Sequence, residues 1–175
     1  MDAPRDLGPR PRWGHARTRR IRDLGPVTVS LRPRRARCTG CGATQVLLPA
    51  VAQPHRADAS AVLGAALVAA AAGRGHRGIA AELDRSPSTV RRWLRSVRDP
   101  EVLEGLRGRA LDSLYAFDPD RIATLPVART RLGDALQALA AAALAARARL
   151  APHAPVWAVA TVIAGGRLLP AARSG

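Results

Sequence analysis

The sequence predicts a mainly α protein with a small N-terminal β unit, a tri-helical helix-turn-helix core and C-terminal helices. Three observations predict this. Apolar residues make up 47% of the 175 residues, yet Ala dominates them and aromatics reach only 3%. A core of that composition has to be built from Ala, Leu and Val on closely packed helices. Short β-branched runs with period-2 alternation occur only near the N-terminus, as in Val27-Thr28-Val29-Ser30-Leu31. From Ile79 to Val97 the apolar residues follow a helical period on both sides of a capped turn.

Taken in order, residues 1–25 are expected to be irregular, because Pro4, Gly8, Pro9, Pro11 and Gly14 rule out a long element. Val27 to Leu31 reads as a short strand, Arg34 to Arg37 as a second and Gln45 to Leu48 as a third. Pro49 to Pro54 reads as a linker. Asp58 or Ser60 can cap a helix running to about Ala72, which Gly73-Arg74-Gly75 ends. Helices over 77–83 and 87–98 complete a tri-helical bundle. Glu101 to Tyr115 is a further helix, Asp118-Pro119-Asp120 a loop, and Arg131 to Leu150 a long Ala/Leu helix that Pro152 and Pro155 break. Val156 to Ile163 is apolar and short enough for either helix or strand. Three units are expected: 1–50, 57–98 and 99–175.

The segment from Ile79 to Val97 carries the most information. Ile79, Ala80 and Leu83 share the inward side of a short helix, and Asp84-Arg85-Ser86 forms the turn. Ser86 is placed to cap the second helix with Pro87 at its first position, where a missing N–H costs nothing. Val90, Trp93, Leu94 and Val97 form an apolar back. At about 100° per residue, Ser88, Arg92 and Arg95 point away from it, flanked by Thr89 and Arg91. A recognition helix needs this arrangement, an apolar back that fixes its angle and short polar plus Arg side chains that reach base edges and phosphates. An ordinary amphipathic surface helix shares the stripe. The capped turn and the small residues of the preceding helix are what distinguish this one.

Charge supports the same reading. The formal net charge is +15, and every basic residue other than the histidines is Arg. Residues 1–37 hold 11 arginines and 3 acids, residues 74–98 hold 7 and 2, and residues 99–175 hold 9 and 7. Basic charge concentrated in two segments fits phosphate neutralisation on double-stranded DNA. Phosphate contacts are expected from Arg74, Arg77, Arg85 and the N-terminal arginines, and base contacts from Ser88, Thr89, Arg91, Arg92 and Arg95. His76 is expected to touch a phosphate or lie plainly on the surface.

Cys38-Thr39-Gly40-Cys41-Gly42 has the form of one half of a zinc ribbon: two thiolates three positions apart can grip one metal, and the glycines let backbone amides turn toward the sulfurs. A structural zinc needs four ligands, and these are the only two cysteines. His15, His55, Asp6 or a second chain are the candidates for the remainder. A metal-free ribbon and redox thiols are the alternatives.

Trp13-Gly14-His15-Ala16-Arg17, Arg35-Ala36-Arg37-Cys38-Thr39-Gly40-Cys41-Gly42 and Val46-Leu47-Leu48-Pro49-Ala50, followed by the helix-turn-helix, resemble insertion-sequence transposases that open with a zinc ribbon and a helix-turn-helix. They also resemble a group of small actinobacterial helix-turn-helix proteins of unknown function. The resemblance covers roughly residues 3–98, and Gly165-Gly166-Arg167-Leu168-Leu169 is similar to the small proteins as well. It implies zinc at Cys38 and Cys41 and DNA as partner. The chain departs from the pattern at Ala3-Pro4-Arg5-Asp6, where those proteins carry Cys-Pro-x-Cys. The β unit is therefore expected to be a degenerate zinc ribbon.

No catalysis is expected. Glu101, Glu104, Asp112, Asp118, Asp120 and Asp134 fall on helix surfaces and in one loop, and residues 99–175 are too few for a ribonuclease-H-like domain holding two metal ions. The Ala59 to Gly73 run is too short to span a membrane, and the Arg- and Pro-rich N-terminus has no apolar signal region. A cytoplasmic, nucleoid-associated DNA-binding protein follows, with a homodimer possible through the C-terminal helices. A protein-interaction adaptor and a non-functional transposon remnant are the alternatives.

Overall fold

The computed structural model describes residues 11–170. Five short strands come first: β1 (Pro11–His15), β2 (Arg19–Arg22), β3 (Thr28–Leu31), β4 (Arg34–Cys38) and β5 (Thr44–Leu47). Seven helices follow: α1 (Ser60–Ala71), α2 (His76–Glu82), α3 (Pro87–Ser96), α4 (Pro100–Phe117), α5 (Asp120–Ala123), α6 (Arg131–Leu150) and α7 (Val156–Ile163). The strands make two antiparallel sheets, β1-β4-β5 and the hairpin β2-β3.

Two expectations change. Residues 11–15 and 19–22 are strands, not irregular chain. Pro11 is tolerated because it opens β1, an edge strand of its sheet. Asp118-Pro119-Asp120 is not a plain loop but leads into the single turn α5. The apolar run at 156–163 is a helix.

The expected cap of α1 is also different. Ala59 is the N-cap and offers no side-chain bond. Asp58 is buried and accepts from Arg22 and Arg85 instead. At the other end, the backbone of Gly73 takes a left-handed φ of 88°. The N–H of Arg74 then bonds the carbonyl of Ala69 and that of Gly73 bonds Ala70, closing the helix as a Schellman turn.

One apolar cluster of buried residues runs from Ile21 to Leu169 and takes in α1, α2, α3, α4, α6 and α7. Helix α1 touches α2 and α3 of the tri-helical unit and also α6 and α7. Segment 49–54, read from sequence as a linker, is packed. Gln53 is buried, its Nε2 donates to Thr161 Oγ1 at 3.1 Å, and its Oε1 accepts from the Leu168 N–H at 2.9 Å. These bonds fasten α7 and the segment after it to the loop that precedes α1. The β1-β4-β5 sheet lies outside this core, and most of its side chains are exposed.

Candidate nucleic-acid interface

Helix α2 ends at Glu82 with Leu83 as its C-cap, and Asp84 takes a left-handed φ of 51°. The N–H of Arg85 bonds the Ala80 carbonyl and that of Asp84 bonds Ala81, the same Schellman pattern as at Gly73 but with Asp in the left-handed position. Helix α3 starts at Pro87, three residues after Asp84. Its N-cap Ser86 accepts from the Thr89 N–H at 3.3 Å, and Pro87 follows. The Ser86 hydroxyl also donates to Thr89 Oγ1 at 2.8 Å and lies 3.2 Å from Ser88 Oγ. The capping hydroxyls therefore form one cluster at the start of α3.

Val90, Trp93 and Val97 are buried and fix the back of α3, while Leu94 is half-buried. Ser88, Arg91, Arg92 and Arg95 are exposed, and Thr89 is half-buried at the edge of the face. At about 100° per residue, Ser88 and Arg95 lie at the centre of that face, with Arg91 on one flank and Arg92 on the other. Among the described residues no carboxylate pairs with Arg91, Arg92 or Arg95. The arrangement offers three free guanidinium groups on one rigid side of a short helix.

The other expected contacts divide. Arg77 is exposed at the first turn of α2. Arg74 is exposed but pairs with Glu82. Arg85 is a correction to the phosphate-contact expectation. Its side chain is 3% exposed. Its Nε donates to Asp58 at 2.6 Å, Nη1 to the carbonyls of Leu83 and Asp84, and Nη2 to the carbonyl of Asp23 at 3.0 Å. Four acceptors inside the fold occupy this guanidinium, which leaves it turned away from any phosphate. Arg85 instead ties the turn of the helix-turn-helix to the end of β2.

Sequence reading missed Arg56. It sits in the loop before α1, half-buried, with Nη2 donating to the Pro170 carbonyl at 3.3 Å. Burial first, and then the positive charge of Arg92, push its guanidinium below the usual range, while Asp58 partly offsets them. Arg56 thus adds charge to the Arg92 flank of the face. Only proximity in the fold reveals it, since a lone Arg in a loop has no periodicity to read. On the Arg91 flank, Arg74, His76, Arg91 and Arg98 line an open cleft beside Thr130, the N-cap of α6.

Cys38 ends β4 and Cys41 lies in the turn that leads to β5. The Cys38 N–H bonds the Ala43 carbonyl at 2.8 Å, and the Gly42 N–H bonds the Cys38 carbonyl at 3.1 Å, with Gly42 at φ 72°. The backbone amides of Cys41 and Gly40, and then the Cys41 thiol, hold the Cys38 thiol below its ordinary range. A structural zinc site needs four ligands. Among the described residues no third His, Cys, Asp or Glu joins the pair. His15 cannot do so from its strand. Pro11 is the residue opposite Cys38, and His15 lies at the far end of β1, about 14 Å along at roughly 3.4 Å per residue. His55 is likewise outside any such group, and Asp6 lies outside the described residues. The described chain therefore does not fit a four-ligand zinc site.

No helix among the described residues is long and apolar enough to cross a membrane. No curated protein and no solved structure matches the chain. Residues 62–107, from α1 through α3 into α4, match the homeodomain-like domain family, a helix-turn-helix family found in transposases.

Proposed function

We propose that this protein is a non-enzymatic reader of double-stranded DNA that places α3 in the major groove. The observation that carries the reading is the α3 face itself: Ser88, Arg91, Arg92 and Arg95 exposed together, without carboxylate partners, on a helix fixed by buried Val90, Trp93 and Val97. Arg pairs bidentately with guanine O6 and N7, and the major groove admits a helix of this size. Thr89 lies at the edge of that face. Phosphate contacts come from Arg77, and from Arg74 when Glu82 releases it. The helix-turn-helix match supports DNA as partner, and the transposase-like resemblance of residues 3–98 supports a transposase-derived or regulatory role.

Selection of bound sequences from a random duplex pool at about 150 mM salt tests this, since nonspecific phosphate binding is already weakened there. A defined motif is expected, and paired half-sites in it would mark a homodimer. The Arg92→Ala variant should lose about 1–3 kcal/mol of discrimination at one base position. Failure of the wild-type protein to enrich any motif would remove the DNA reading and favour a protein-docking role for the tri-helical unit.

A further inference from the structure

The β1-β4-β5 sheet holds charge that packing does not explain. Residues opposed in the ladder point to the same face, as do residues two apart in a strand. The register sets Arg12 opposite Arg37, Arg37 opposite Thr44, Gly14 opposite Arg35, and Arg35 opposite Val46. Arg12, Arg35 and Arg37 therefore share one face. All three are exposed, and no carboxylate pairs with them among the described residues. The three strands contain no acid at all. The opposite face differs: there Arg34 lies over the Trp13 ring, 5.0 Å from its centroid.

Like charges directly opposed across strands destabilise a sheet, and Arg12 faces Arg37 with Arg35 beside them. An anionic partner reverses that cost. The chain also links the sheet to the start of α3. The β2-β3 hairpin, which joins β1 to β4 in the chain, is anchored to the turn before α3 through the Asp23 carbonyl and Arg85.

We propose that Arg12, Arg35 and Arg37 form a second, sequence-independent contact with the phosphate backbone of the duplex that α3 reads. The proposal rests on the DNA reading above and adds a separate surface to it. Binding to a random-sequence duplex and to the selected duplex, measured across a salt series, tests it. Each phosphate contact contributes about 0.9 to the slope of log K against log salt. The Arg12→Ala/Arg35→Ala/Arg37→Ala variant should bind both duplexes more weakly, with the slope reduced by about 2.7 and the selected motif unchanged. The triple Lys variant should keep the slope, since it keeps the charge. If the triple Ala variant fails to give the wild-type circular dichroism spectrum, the single Arg35→Gln variant carries the test, with an expected slope reduction of about 0.9. An unchanged slope in a folded variant, with the motif still selected, would overturn the sheet contact and leave the α3 reading intact. A changed motif with an unchanged slope would also overturn it. Absence of any DNA binding by the wild-type protein would overturn both.

Discussion

Arg85 and Arg92 stand seven positions apart and do opposite things. Arg85 is closed off by Asp58 and three carbonyls, whereas Arg92 is exposed with no carboxylate beside it. Removing one partner of a buried pair leaves the other charge uncompensated, so Arg85→Ala should cost about 3 kcal/mol in urea unfolding. Arg22 also reaches Asp58, but Arg22 is half-exposed and cannot replace the lost bonds. Arg85→Lys should recover little, because one ammonium lacks the planar fork that serves four acceptors. A loss below about 0.5 kcal/mol would show that the junction does not hold the turn. In sequence, Arg85 looks like its neighbours because its carboxylate partner is 27 residues away. The exposed arginines of α3 were legible because helical period alone separates them from Val90, Trp93 and Val97. The thiols give a second residue-scale test. With its thiol held below the ordinary range, Cys38 should reach half-maximal alkylation rate at a lower pH than a free cysteine. Cys41→Ala should move that midpoint up, yet not fully back, since the backbone amides of positions 41 and 40 remain. An unmoved midpoint in the wild type would mean those amides do not face the sulfur.

Helix α1 shows what decides an element here. Its residues Ser60–Ala71 have no charged side chain and no polar face, and a helix apolar all round is buried on more than one side. Sequence reading placed its ends within about a residue, because Gly73 stops it, but did not reveal how closely α7 approaches. A Cβ on Gly64 would lie 2.2 Å from the Trp157 ring. Gly64→Ala should therefore destabilise by about 1–3 kcal/mol through overpacking, against the gain of roughly 1 kcal/mol that Ala brings to a helix interior. Pairing it with Trp157→Leu should recover part of the loss, a non-additivity expected of residues in contact. Additive losses in thermal melts would show that the two residues do not touch. The two missed strands, β1 and β2, have a different cause. Pro11 argues against a strand only where both ladder edges are in use, and β1 uses one, while Gly14 weakens a strand without forbidding it. The turn before α3 was readable down to its cap because Ser86 and Pro87 act on their immediate neighbours.

At the scale of the molecule, the question is whether the tri-helical unit stands alone. The sequence divides the chain at 57 and 98, where composition and charge change, but the apolar cluster crosses those limits. Leu63 and Leu67 of α1 belong to the same cluster as Leu139 and Ala142 of α6. The cluster also includes Ile21 from the β unit, and buried Gln53 binds the C-terminal segment. These links join residues more than 30 positions apart, which no periodicity within one element encodes. A fragment of residues 57–98 would leave one side of α1 uncovered and would lose the Asp23 carbonyl that Arg85 uses. It should then give no cooperative urea transition by circular dichroism, while the full chain unfolds in one step. Adding DNA would not rescue the fragment at salt concentrations where the full chain binds, because the angle of α3 depends on a back that α1 supports. A sharp transition in the fragment would show instead that α2, α3 and one side of α1 suffice, and that the C-terminal helices are packed onto an already complete reading head.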